Sequence, residues 1–99
     1  MQAPRYLCSQ LVRLQVDGHV QWANLEEIWL GGALLECEKP VATGATAKLF
    51  SECAALDGHV VKVGNDEFGW QVELAFAEAT PWSVEMWRPE HLLDPGTLT

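Results

Sequence analysis

The run Trp70-Gln-Val-Glu-Leu-Ala-Phe76 constrains this chain most. Trp70, Val72, Leu74 and Phe76 fall on one side, and Gln71 and Glu73 fall on the other. A period of two is the signature of a β-strand with one buried face. Such a strand needs a sheet around it and a core beneath it. The same alternation recurs upstream. Val12, Leu14 and Val16 share a face opposite Leu11, Arg13 and Gln15, while Ala45, Ala47 and Leu49 point inward with Thr46 and Lys48 outward. Turn signals fall at short intervals: Asp17-Gly18, Gly31-Gly32, Lys39-Pro40, Gly44, Asp57-Gly58 and Gly64-Asn65-Asp66. Short strands with turns at this spacing predict an all-β barrel or sandwich. Asp-Gly between alternating runs predicts a hairpin, because both central residues of a type I′ turn need positive φ.

The second strand changes parity. Ala23 and Leu25 are its apolar set at first, and Ile28 and Leu30 take over after Glu26-Glu27. One extra residue, a β-bulge, produces that shift. Beyond it, Glu27 and Trp29 face away from Ile28 and Leu30. The tail reads differently. Thr80-Pro81 resembles an N-cap followed by proline at the first helical position. A two-turn helix is expected over 81–88, with Trp82 and Met86 on one side. Pro89 ends it or restarts it as a second short turn through Leu93, and Asp94 to Thr99 are expected to fray.

Ninety-nine residues make one domain, 1–99, with a small margin of stability. No apolar run approaches the roughly 20 residues that cross a bilayer, so membrane insertion is not expected. The first residues carry no basic stretch followed by an apolar one, so no secretory signal is visible. Cys8, Cys37 and Cys53 are odd in number and lack metal-ligand spacing. They read as reduced thiols of a cytoplasmic protein. Six Lys and Arg stand against fourteen Asp and Glu, a formal charge of −8. Such a surface repels polyanions and argues against binding a nucleic-acid polymer. It constrains a small phosphate ligand less, because salt screens distant charge within about 8–10 Å.

Several segments together resemble a PilZ domain, the bacterial module best known for reading cyclic di-GMP. They are Pro4-Arg5-Tyr6-Leu7-Cys8, Glu27-Ile-Trp-Leu-Gly-Gly-Ala33, Pro40-Val-Ala-Thr-Gly44, Leu56-Asp-Gly-His-Val60 and Gly69 to Phe76, in that order. The resemblance covers nearly the whole chain. It implies a six-stranded antiparallel β-barrel over about 8–78 with a short C-terminal helical segment over about 81–93.

In that family cyclic di-GMP is held by Arg-x-x-x-Arg before the first strand and by Asp/Asn-x-Ser-x-x-Gly after the second. Arginines clamp phosphate through planar bidentate forks and stack on guanine. Here Arg5 matches the second arginine, while the first falls on Met1, so half of the clamp is missing unless residues precede it. The second motif reads Glu27, Ile28, Trp29, Leu30, Gly31, Gly32. Gly32 matches, Glu27 is one methylene longer than Asp, and Trp29 stands where the serine would be. Trp offers one donor on a large ring in place of a small hydroxyl. Losing one arginine and one serine weakens binding by about three orders of magnitude.

Arg5, Glu27, Trp29 and Gly32 are therefore the nucleotide-site candidates that the resemblance implies. Arg5 reads equally as a solvated arginine, and Glu27 as a solvated strand carboxylate. Five tryptophans are many for a small barrel. Trp70 and one of Trp82 and Trp87 are expected in the core, while Trp22, Trp29 and Trp87 are candidates for contact with a partner. His19, His59 and His91 are scattered, with His19 and His59 read as turn residues. No residues suggest a metal, a cofactor or catalysis. Two functions follow from the resemblance. The first is a non-catalytic signalling module with a degenerate site, acting on a regulatory protein partner or by homo-oligomerisation. The second is a cyclic di-GMP receptor in which Arg5 grips phosphate, Glu27 accepts from guanine, Trp29 stacks on a base and Arg13 assists.

Overall fold

The computed structural model describes residues 4–93. Met1, where the first arginine of the motif falls, and Asp94 to Thr99, expected as a frayed tail, lie outside the described residues. Six strands form: β1 (Tyr6–Val16), β2 (His19–Trp29), β3 (Gly32–Cys37), β4 (Thr46–Phe50), β5 (Ala55–Asp66) and β6 (Gly69–Phe76). They close into an antiparallel barrel in the order β1-β2-β3-β6-β5-β4. Closure comes from β4 returning to β1, with Arg13 opposite Phe50 and Val16 opposite Ala47. No helix among the described residues is long and apolar enough to cross a membrane.

The alternation in the sequence becomes the two sides of the barrel wall. Val12, Leu14 and Val16 point inward with Ala47, Leu49, Val72, Leu74 and Phe76, and all are buried. Trp70 and Ala45 are only half-buried and pack against the rim of this core. Asp17 and Gly18 take φ of 51° and 82°, the two positive values that the first hairpin requires. The bulge in β2 is also present. Leu25 pairs with Leu35 and Glu27 with Leu34, leaving Glu26 as the extra residue. Ile28 is then fully buried, and Trp29 is carried to the outside of the wall. Leu30 leaves the expected inward face. It sits in the β2–β3 turn, 54% exposed, and its carbonyl accepts from the Trp82 amide at 3.1 Å.

Two expected turns fall inside a strand. Asp57 and Gly58 lie within β5, opposite Lys48 and Ala47, so His59 is a strand residue as well. The absent side chain of Gly58 serves close approach, since a Cβ there would collide with the Ala75 carbonyl of β6. The β5–β6 turn lies just beyond Gly64-Asn65-Asp66. Asp66 caps it, its Oδ1 accepting from the amides of Phe68 at 2.8 Å and Gly69 at 3.0 Å.

The expected helix over 81–93 does not form. Ser83 accepts from the amides of Met86 and Trp87, which makes one turn and no more. The Thr80 hydroxyl, read as the N-cap, has no hydrogen-bond partner. Several backbone groups of the tail bond to the barrel instead. Strand β4 covers β1 only at Arg13 to Val16, which leaves the first half of β1 with an open edge. The tail fills it. Leu7 and Leu93 exchange both backbone hydrogen bonds, and the Ser9 amide donates to the Glu90 carbonyl. An open strand edge is a row of unpaired donors and acceptors, so the expected second turn, Pro89 to Leu93, gives way to pairing there, while within 81–88 the Trp82 amide donates to the Leu30 carbonyl. Trp82 and Trp87 both enter the core, at 3% and 5% exposure, and the Trp82 indole donates to the Trp87 carbonyl at 2.9 Å. Met86 stays exposed, so it shares no face with Trp82.

Candidate functional site

Arg5, Glu27, Trp29 and Gly32 come together at one end of the barrel. The bulge at Glu26 sets the arrangement. It turns Glu27 and Trp29 outward on β2, next to the segment that leads into β1. The Arg5 guanidinium lies over the Trp29 ring, its Cζ 3.8 Å from the ring centre. Arg5 Nη1 stands 3.9 Å from Glu27 Oε1, and Nη2 stands 3.6 Å from Glu73 Oε1. Gly32 supplies the space, because a Cβ there would meet the Trp29 ring and collide with the Leu74 carbonyl.

Glu73 belongs to this site, and sequence reasoning gave it no role. Alternation placed it on the outer face of β6. Its approach to Arg5 depends on β6 pairing with β3, where Leu34 stands opposite Glu73. That pairing joins segments distant in sequence, and no local signal marks it. Arg13 is not part of the site. It faces Trp22 on β2 and Phe50 on β4, eight residues along the chain from Arg5, or roughly 25 Å in extended strand. Its guanidinium carbon lies 5.7 Å from the Phe50 ring centre.

One guanidinium therefore meets two carboxylates and an indole. The trio Arg5, Glu27 and Glu73 carries a formal charge of −1, which repels phosphate. Both ion pairs are long and partly exposed, so each contributes at most about 1 kcal/mol. The cation–π contact with Trp29 contributes about 0.5–1 kcal/mol at such a site. Together they favour the arginine turned toward its own barrel by at most about 3 kcal/mol.

Beside this cluster, Pro4, Tyr6, Leu30, Trp82 and Val84 line a cavity of about 290 Å³ with largely apolar walls. The Tyr6 ring meets Trp82 edge-on at 5.6 Å. The partner-contact candidates separate. Trp22 is 64% exposed on the outer face of β2, and Trp29 is half-buried under Arg5. Trp87 offers no surface to a partner, because it is 5% exposed and belongs to the core. No family model matches this chain, and no curated protein matches it in sequence.

Proposed function

We propose that this chain is a PilZ-like, non-catalytic signalling module whose nucleotide site is closed from within and which acts through protein contacts. One observation carries the reading. The arginine aligned with the family's phosphate clamp is held by Trp29, Glu27 and Glu73 of its own barrel. A phosphate ligand would have to displace a stacked indole and overcome two carboxylates. The six-stranded barrel and the bulge before Trp29 support the family assignment.

The receptor alternative draws on the same cluster, since Arg5, Glu27 and Trp29 do share one site. It needs Arg5 to leave both carboxylates and to hold phosphate without a second arginine. The two readings separate in equilibrium dialysis against cyclic di-GMP. The closed-site reading expects no binding by the native protein. It expects weak binding to emerge when Glu27→Gln, Glu73→Gln and Trp29→Ser are combined. Micromolar binding by the native protein, lost in Arg5→Ala, would establish the receptor instead.

A further inference from the structure

The outer wall carries an apolar concavity away from the Arg5 cluster. Leu11 on β1, Val20 and Trp22 on β2, and Phe68 in the β5–β6 turn line a hollow of about 550 Å³. Their exposures are 65, 56, 64 and 76%. Four exposed large apolar side chains gathered around one hollow on a small domain point to an interaction site, and Trp and Phe are the side chains that anchor such contacts.

The surrounding charge identifies the occupant. Glu36 and Glu38 line the hollow, and Asp66 and Glu67 directly precede Phe68 in sequence. Glu26 stands close enough to Glu36 and Asp66 for their fields, after burial, to raise its pKa. None of these five carboxylates has a cation within ion-pair distance among the described residues. Lys39 also lines the hollow, and Arg13 stands opposite Trp22, so two cations border five carboxylates. The net charge of −8 extends the attraction for cations beyond the rim. Lys or Arg of a ligand would also meet the faces of Trp22 and Phe68.

We propose that this hollow docks a basic segment of a partner protein, one that inserts apolar side chains between Trp22 and Phe68 and sets Lys or Arg against Glu36 and Glu38. The assignment rests on the reading that the chain works through protein contacts, and it gives those contacts a place and a chemistry.

The test uses the full chain and three labelled peptides in fluorescence anisotropy. One alternates Lys with Leu, one replaces Lys by Glu, and one replaces Leu by Ser. The Lys–Leu peptide is expected to bind and to weaken as salt rises, with the other two at least about tenfold weaker. Trp22→Ser with Phe68→Ser, both at exposed positions, and separately Glu36→Lys, are expected to cost about tenfold or more with the circular dichroism unchanged. Equal binding of the Glu–Leu peptide overturns the proposal. So does silence from the Lys–Leu peptide at about 1 mM, or native affinity in the double variant. Self-association that Trp22→Ser abolishes would assign the hollow to a second copy and overturn the proposal as well. A parallel titration with cyclic di-GMP keeps the two readings apart. Nucleotide binding refutes the closed site alone, whereas peptide silence without nucleotide binding removes the docking surface and leaves the closed site standing.

Discussion

Gly31 and Gly32 are adjacent in the sequence, and alanine at each has opposite consequences. Neither has the positive φ that would make glycine obligatory, so space decides the outcome. At Gly31 a new methyl group would lie 3.9 Å from the nearest ring atoms of Trp29, an ordinary contact. Gly31→Ala is then expected to be neutral or to stabilise by up to about 1 kcal/mol, through a less flexible unfolded chain. At Gly32 the methyl would lie 2.9 Å from Trp29 Cζ2 and collide with the Leu74 carbonyl. The carbonyl is backbone and belongs to the β3–β6 ladder, so it can move only by parting the strands. Overpacking of this kind costs about 1–3 kcal/mol. For a domain of this size that lowers Tm by about 4–8 °C per kcal/mol. Urea unfolding followed by tryptophan fluorescence measures both variants against the parent. The gap between them should be about 1–4 kcal/mol, with Gly31→Ala the more stable. If Gly32→Ala matched or exceeded the parent in stability, the close approach of Trp29 and β6 to Gly32 would be refuted.

Three further outcomes follow from the packing and the charges. Cys8 is pushed up to about 12 by burial and then by Glu27 and Glu26, and Cys37 is raised by burial. Cys53 is exposed, so a thiol reagent at pH 8 should modify one cysteine quickly and the other two only on unfolding. Glu26 has its pKa raised by burial first and then by Glu36, Asp66 and Glu27. A raised carboxyl binds its proton more tightly in the folded state, so ionised Glu26 opposes folding at neutral pH. The penalty fades as pH falls through the raised value toward 4.5. Glu26→Gln should therefore raise Tm at pH 7, by the equivalent of about 0.5 kcal/mol for screened surface charge, and should gain little at about pH 4. Trp82→Phe removes the donor to the buried Trp87 carbonyl and should cost about 1–3 kcal/mol in chemical denaturation.

Where the fold rests on local chemistry, the sequence reveals it. Asp17-Gly18 needs only its own two dihedrals, and the parity change at Glu26 is written in Ala23, Leu25 and Ile28. Where the fold rests on a distant partner, local signals mislead. Asp57-Gly58 has the composition of a turn, yet Gly58 is there because the Ala75 carbonyl of β6 approaches it closely. Thr80-Pro81 has the composition of a helix start, yet the segment after it sends both Trp82 and Trp87 into the core, and beyond Pro89 the chain pairs with the open edge of β1 at Leu7 and Ser9. The candidate site divides in the same way. Arg5, Glu27, Trp29 and Gly32 come from two short motifs and do converge. Glu73 reaches Arg5 through the β3–β6 pairing and was legible only as an outward-facing residue.

Isothermal titration of the native protein with cyclic di-GMP, at low and at physiological salt, tests the closed site most directly. Arg5 held between Trp29, Glu27 and Glu73 predicts no heat at millimolar nucleotide and unchanged tryptophan fluorescence. Micromolar binding with a change in Trp29 emission would contradict it, because Arg5 would then have left its own carboxylates to hold the ligand.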